Sequence, residues 1–123
     1  MKQHEARAVL AQFFLEVASR GWAWGLSCCG DICAVHGHGQ MCLPLWSDER
    51  VARRMQRRHW PKLVVTRIAL SEVLERCLPK AREDGVLVGI GVAVDENAVA
   101  VPAQLVDLGL REAEQYLREK AAQ

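Results

Sequence analysis

WAWGLSCCGDICAVHGHGQMCLPLW, residues 22–46, contains three short runs rich in strand formers: WAWGLSC (22–28), ICAV (32–35) and MCLPLW (41–46). Gly30-Asp31 separates the first two runs, and Gly37-His38-Gly39 separates the last two. Glycine reaches the positive backbone angles of tight turns without a Cβ clash, and aspartate closes turns with its own side chain. Short β-rich runs with such punctuation predict three strands in an antiparallel meander.

Outward from this stretch the pattern changes period. From Lys2 to Arg20 the apolar residues Ala6, Val9, Leu10, Phe13, Phe14 and Val17 recur every three or four positions, with Gly21 as a stop, which predicts an amphipathic helix. On the other side, Ser47 stands where a cap is wanted and Asp48 and Glu49 suit the positive end of a helix dipole. A helix from Asp48 to about Arg58 follows, closed by Trp60-Pro61. LVVTRIAL (63–70) reads as a strand, and Ser71 as the cap of a helix carrying Val73, Leu74, Cys77 and Leu78 that Pro79 loosens or ends. VLVGIGVAV (86–94) is apolar on both alternating faces, one large and one small, and belongs at the centre of a sheet. A brief strand at Ala98–Val101 precedes Pro102, a favoured first helical residue. The tail to about Lys120 is helical, with Gly109 as a weak point. The expected architecture is one α+β domain spanning residues 1–123. Its mainly antiparallel sheet of five to six short strands is packed by an N-terminal helix, two middle helices and a C-terminal helix.

Composition narrows the function classes. The chain has 123 residues, half of them apolar, enough for one substantial core. Sixteen basic against fifteen acidic side chains leave a formal charge of +1, so no global field draws it to nucleic acid or lipid. Charges interrupt the apolar run of the first twenty residues, and no run approaches the roughly 18 apolar residues of a membrane helix. Five cysteines, an odd number, favour reduced thiols and a cytoplasmic setting over a disulfide framework.

Three sets of residues could carry function. Cys29, Cys33, His36, His38 and Cys42 supply enough soft or borderline ligands for a zinc ion, the one cofactor the sequence suggests. The spacing lacks the two close pairs of a zinc knuckle, and adjacent Cys28 and Cys29 on a strand would face opposite ways. The competing reading has these cysteines as small hydrophobes on half-buried strands. Arg50, Arg53, Arg54, Arg57 and Arg58 fall at i, i+3, i+4, i+7 and i+8 and share one helix face. Guanidinium forks match carboxylates and phosphates, so this face suits an acidic protein surface or, as an alternative, nucleic acid phosphates. The plainer reading is a solvated face offset by Glu72, Glu75, Glu83, Glu112, Glu114 and Glu119. Trp24 and Trp46 flank the same region and either pack the core or line a groove. No nucleophile stands with a base in any recognised motif, so the expectation is a non-enzymatic module that binds a protein partner, not a membrane, with self-association left open.

The order Trp24-Gly25-Leu26, Leu43-Pro44-Leu45-Trp46-Ser47, Leu78-Pro79, Asp84-Gly85, Val88-Gly89 and Val101-Pro102 resembles the bacterial family called domain of unknown function 2750, from about Trp22 to Leu105. The resemblance implies a small cytoplasmic bacterial α+β protein and brings no catalytic residue with it. Two positions depart from the family pattern: polar hairpin residues are usual where this chain has its Cys/His cluster, and a large aromatic is common where Cys77 stands.

Overall fold

A computed structural model describes residues 3–37, 40–90 and 99–123. The chain runs α1 (Gln3–Arg20), β1 (Trp22–Cys28), β2 (Asp31–Ile32), β3 (Val35–Gly37), β4 (Gln40–Leu45), α2 (Glu49–His59) and β5 (Val64–Ala69). It continues through α3 (Leu70–Glu72), a π turn (Val73–Cys77), α4 (Leu78–Glu83), β6 (Leu87–Ile90), β7 (Val99–Val101) and α5 (Ala103–Ala121). The α+β class is the expected one. The strands are more numerous than expected, seven among the described residues, and they form two sheets in the orders β2-β1-β5 and β3-β4-β6-β7.

The expected meander breaks inside ICAV. Ile32 pairs with Ser27 of β1, whereas Val35 pairs with Cys42 of β4, so this run gives one edge strand to each sheet. The sheets meet where Trp24 and Trp46 exchange two backbone hydrogen bonds of 2.8 Å. β4 and β6 are parallel, with Leu43 beside Val88 and Leu45 beside Ile90. A parallel pair needs a crossover of a dozen or more residues, and the segment from α2 to α4 supplies one. Residues 91–94 of the expected central strand, and Ala98, lie outside the described residues.

Strand alternation sends the two faces of β1 and β4 into different cores. Ala23, Leu43 and Leu45, with Val88 and Ile90 of β6, pack against Phe13 and Val17 of α1, Leu78 and Ala81 of α4, and Val106 and Leu110 of α5. Leu26 and Trp46 face the other way, with Val35 and Val65, and meet Ala52 and Met55 of α2. The expected large and small faces of β6 follow this division: Val88 and Ile90 fill the main core, and Gly89 approaches the Cys42 side chain.

Three helix boundaries differ from the sequence reading, and at Pro79 the helix is loosened, one of the two courses expected there. Asp48, not Ser47, caps α2, its carboxylate accepting from the Arg50 N–H at 2.8 Å. The third helix begins at Leu70 with no side-chain cap, and it passes through Pro79. Proline has no N–H and its ring crowds the carbonyl four residues back. The π turn just before it, where the Leu78 N–H reaches Val73 O, absorbs that misfit by widening the helix. Pro102 precedes α5 instead of opening it. α5 runs unbroken through Gly109, where a Cβ would overlap the ring of Phe14, so the glycine gives that α1 side chain room against α5.

Candidate functional site

The arginine face forms because α2 is amphipathic. Ala52 and Met55 are buried, and Arg50, Arg53, Arg54, Arg57 and Arg58 are all exposed. The face is divided along its length. At its start, Arg53 is tied to Glu49 at 2.8 Å and Arg50 lies 3.9 Å from Asp48. Arg54, Arg57 and Arg58 form no ion pair among the described residues. The glutamates expected to offset them lie on other helices, where Glu72 pairs with Arg76 and Glu119 accepts from Gln115. The negative end of the helix dipole favours Arg57, Arg58 and the neighbouring His59.

Of the two tryptophans assigned to this surface, Trp24 is half-buried and Trp46 is 1% exposed. Trp46 is therefore a core residue, packed 6.4 Å from the Trp60 ring, and does not belong to the docking surface. Its register explains this: as the residue after β4 it continues the strand face that α2 covers. Where α1 and α2 meet, a groove of about 280 Å³ lies above it, lined by Phe13, Glu16, Ser47, Asp48 and Val51.

The described members of the Cys/His set do not converge. Val35 and Cys42 are paired and share the face packed toward α2, which puts exposed His36 on the opposite face. Cys33 is half-buried with its thiol 3.6 Å from the Leu26 carbonyl, and Cys29 sits at the tip of the other hairpin. Burial raises the Cys33 and Cys42 thiols above their ordinary value and so opposes the thiolate a metal would need. Among the described residues no three His, Cys, Asp or Glu side chains are placed to hold one ion. His38 lies outside them.

Strand alternation misjudged the vicinal pair. Cys28 is the last residue of β1 and pairs with Asp31, leaving Cys29 and Gly30 as a two-residue turn with φ of +56° and +88°. Both central residues are left-handed, as in a type I′ turn. The turn folds the second thiol back toward the first, and the two Sγ atoms stand 3.7 Å apart, both exposed. The hydrogen bond with Cys29, and next the neighbouring Cys29 charge, raise the Cys28 thiol above its ordinary value.

Sequence reading did not find the cleft of about 500 Å³ between β2, β4 and the π turn. Its apolar floor is Ile32, Leu43, Ala81 and Val86, and its rim carries Asp31, Glu72, Arg76, Lys80 and Asp84. Cys77 opens into it. Burial first, then the Glu72 charge, push that thiol up to about 11, so it is protonated near neutral pH and is no nucleophile there. Pro79 inside a helical pattern was the available signal, since π turns gather at functional sites.

These features define a class: a two-core α+β protein with a cationic helix face, a mixed-charge cleft and an exposed pair of adjacent thiols. The chain belongs to the family described as Protein of unknown function (DUF2750), whose model matches residues 10–109. The match reaches further than the resemblance read from residues 22–105 and takes in most of α1. No curated protein matches the chain. Among the described residues no helix is long and apolar enough to cross a membrane.

Proposed function

We propose that this chain is a non-enzymatic binding module that docks an acidic segment of a partner protein on the C-terminal half of α2. The observation that carries the reading is that Arg54, Arg57 and Arg58 are exposed on one face with no ion pair among the described residues. Three guanidinium groups this close repel one another, and each carries fork-shaped donors that a carboxylate can satisfy in pairs. Arg50 and Arg53 already share carboxylates with their own chain and are secondary. A protein partner is preferred to nucleic acid because the whole chain carries a formal charge of only +1 and no aromatic side chain interrupts the arginines for base stacking. A bacterial cytoplasm suits a chain whose five cysteines are all unpaired.

Affinity capture from nuclease-treated bacterial lysate, with wild type beside the double variant Arg54→Glu/Arg57→Glu, tests the reading. The expected result is an acidic protein retained by wild type and lost from the variant, with retention weakening as salt rises. Retention seen in a parallel untreated lysate but not in the nuclease-treated one would transfer the face to nucleic acid. Equal capture by both chains would remove α2 from the interaction.

A further inference from the structure

The β1–β2 turn presents two thiols to solvent at one point. A cysteine is a poor choice for its first position: a left-handed backbone costs a residue with a Cβ about 1–2 kcal/mol, which asparagine or glycine largely avoids. Cys29 nevertheless occupies it at φ +56°, and in that conformation its sulfur stands 3.7 Å from that of Cys28. Strain held at a side chain of specific chemistry points to a use for that side chain.

The separation selects the chemistry. With a bond of about 2.3 Å from each sulfur to the bound centre, two sulfurs on a pyramidal three-coordinate centre near 100° lie roughly 3.5 Å apart, and in a linear arrangement about 4.6 Å. The observed 3.7 Å fits a bent grip and not a linear one. No third His, Cys, Asp or Glu among the described residues completes a metal site, so the bound centre has to bring its remaining ligands with it. Soft centres select sulfur over oxygen and nitrogen donors.

We infer that Cys28 and Cys29 form a dithiol site for a soft, thiophilic centre that accepts two sulfurs at a bent angle and carries its own third substituent, the chemistry of a trivalent organoarsenical. The reaction with an arsenoxide balances without electron transfer. Two As–S bonds form, the As–O bonding is lost, and the two thiol protons leave with the oxygen as water, arsenic staying trivalent.

Phenylarsine oxide, added to the reduced full-length chain, tests the site. One arsenical per chain should bind, and the thiols titratable after denaturation should fall from five to three. Dithiothreitol should strip the adduct, whereas glutathione at the same thiol concentration should not, because only a dithiol replaces the chelate. Cys29→Asn keeps a residue that tolerates the turn, and Cys28→Ser keeps the strand; each should lose the glutathione-resistant adduct while retaining the wild-type Tm within a few degrees. Cys33→Ser, Cys42→Ser and Cys77→Ser should keep it. An adduct that survives Cys29→Asn, or one that glutathione removes from wild type, would overturn the assignment.

Discussion

Gly109 shows how far a single position can depart from its propensity. In an exposed helix interior, replacing glycine by alanine gains about 1 kcal/mol. Here the new Cβ would overlap the Phe14 ring, itself packed edge-on to Phe13 at 5.9 Å. Overpacking of this kind costs about 1–3 kcal/mol, which equals the propensity gain at its lowest and exceeds it over the rest of the range. Gly109→Ala is therefore expected to lower Tm, and Phe14→Leu/Gly109→Ala to lose less than the two single changes together. A higher Tm for Gly109→Ala alone would refute the close approach. Cys77 gives a pH signature of its own. Its thiol is raised from 9.0 to about 11 in the folded chain, so between those values the unfolded chain loses a proton that the folded chain keeps. Stability then falls as pH rises from about 9 to about 11, and is unaffected by this group below 9. Denaturant titrations of wild type and Cys77→Ala across that range should diverge from parallel in this sense only. In the sequence, Gly30-Asp31 reads as the hairpin turn because glycine and aspartate are both turn-forming residues. A Cys-Gly turn gives no such cue, which is why the convergence of the two thiols was not legible.

At the scale of elements, what could be read from the sequence was whatever depends on local period. The α1 repeat of Val9, Leu10, Phe13 and Val17, the arginine stripe of α2 and the run around β5 each carry a 3.6- or 2-residue signature that survives folding. What was lost depends on distant partners. Ile32 and Val35 look like one strand, and only the positions of β1 and β4 decide that they join different sheets. The same limit applies to Pro79, whose misfit is taken up by the π turn that shapes the cleft. Replacing it tests which force holds that turn. Pro79→Ala restores one backbone donor, worth about 1 kcal/mol. Removing the extra residue of the π turn would rotate α4 by about 100° and pull buried Leu78 and Ala81 out of the core, a loss of several kcal/mol for the leucine alone. Packing wins, so the π turn is expected to persist in Pro79→Ala. Cys77 alkylation measured at fixed pH should match wild type; a several-fold rise in rate would mean that the proline, and not the packing, sets the turn.

For the molecule as a whole, the two cores are unequal, and this assigns α2 a distinct energetic role. The main core unites α1, α4, α5 and both sheets, whereas α2 is held by Ala52 and Met55 with partly buried Val51 beside them. Each like-charged pair three or four residues apart costs a helix a few tenths of a kcal/mol, and Arg54 makes two, with Arg57 and Arg58. A helix with a small apolar footprint and internal repulsion opens at lower free energy than the strands beneath it. Amide exchange should therefore be faster across Val51–His59 than in β1, β4 and β6, and the gap should narrow as added salt screens the arginines. Met55→Ala should widen it, because removing a buried methionine costs about 2–5 kcal/mol at a site that supports α2 directly. An acidic partner bound on Arg54, Arg57 and Arg58 would relieve the repulsion and slow exchange in α2 more than elsewhere. Exchange in α2 as slow as in β4, with or without salt, would instead make α2 part of one cooperative unit and remove the reason to expect that binding is felt there first.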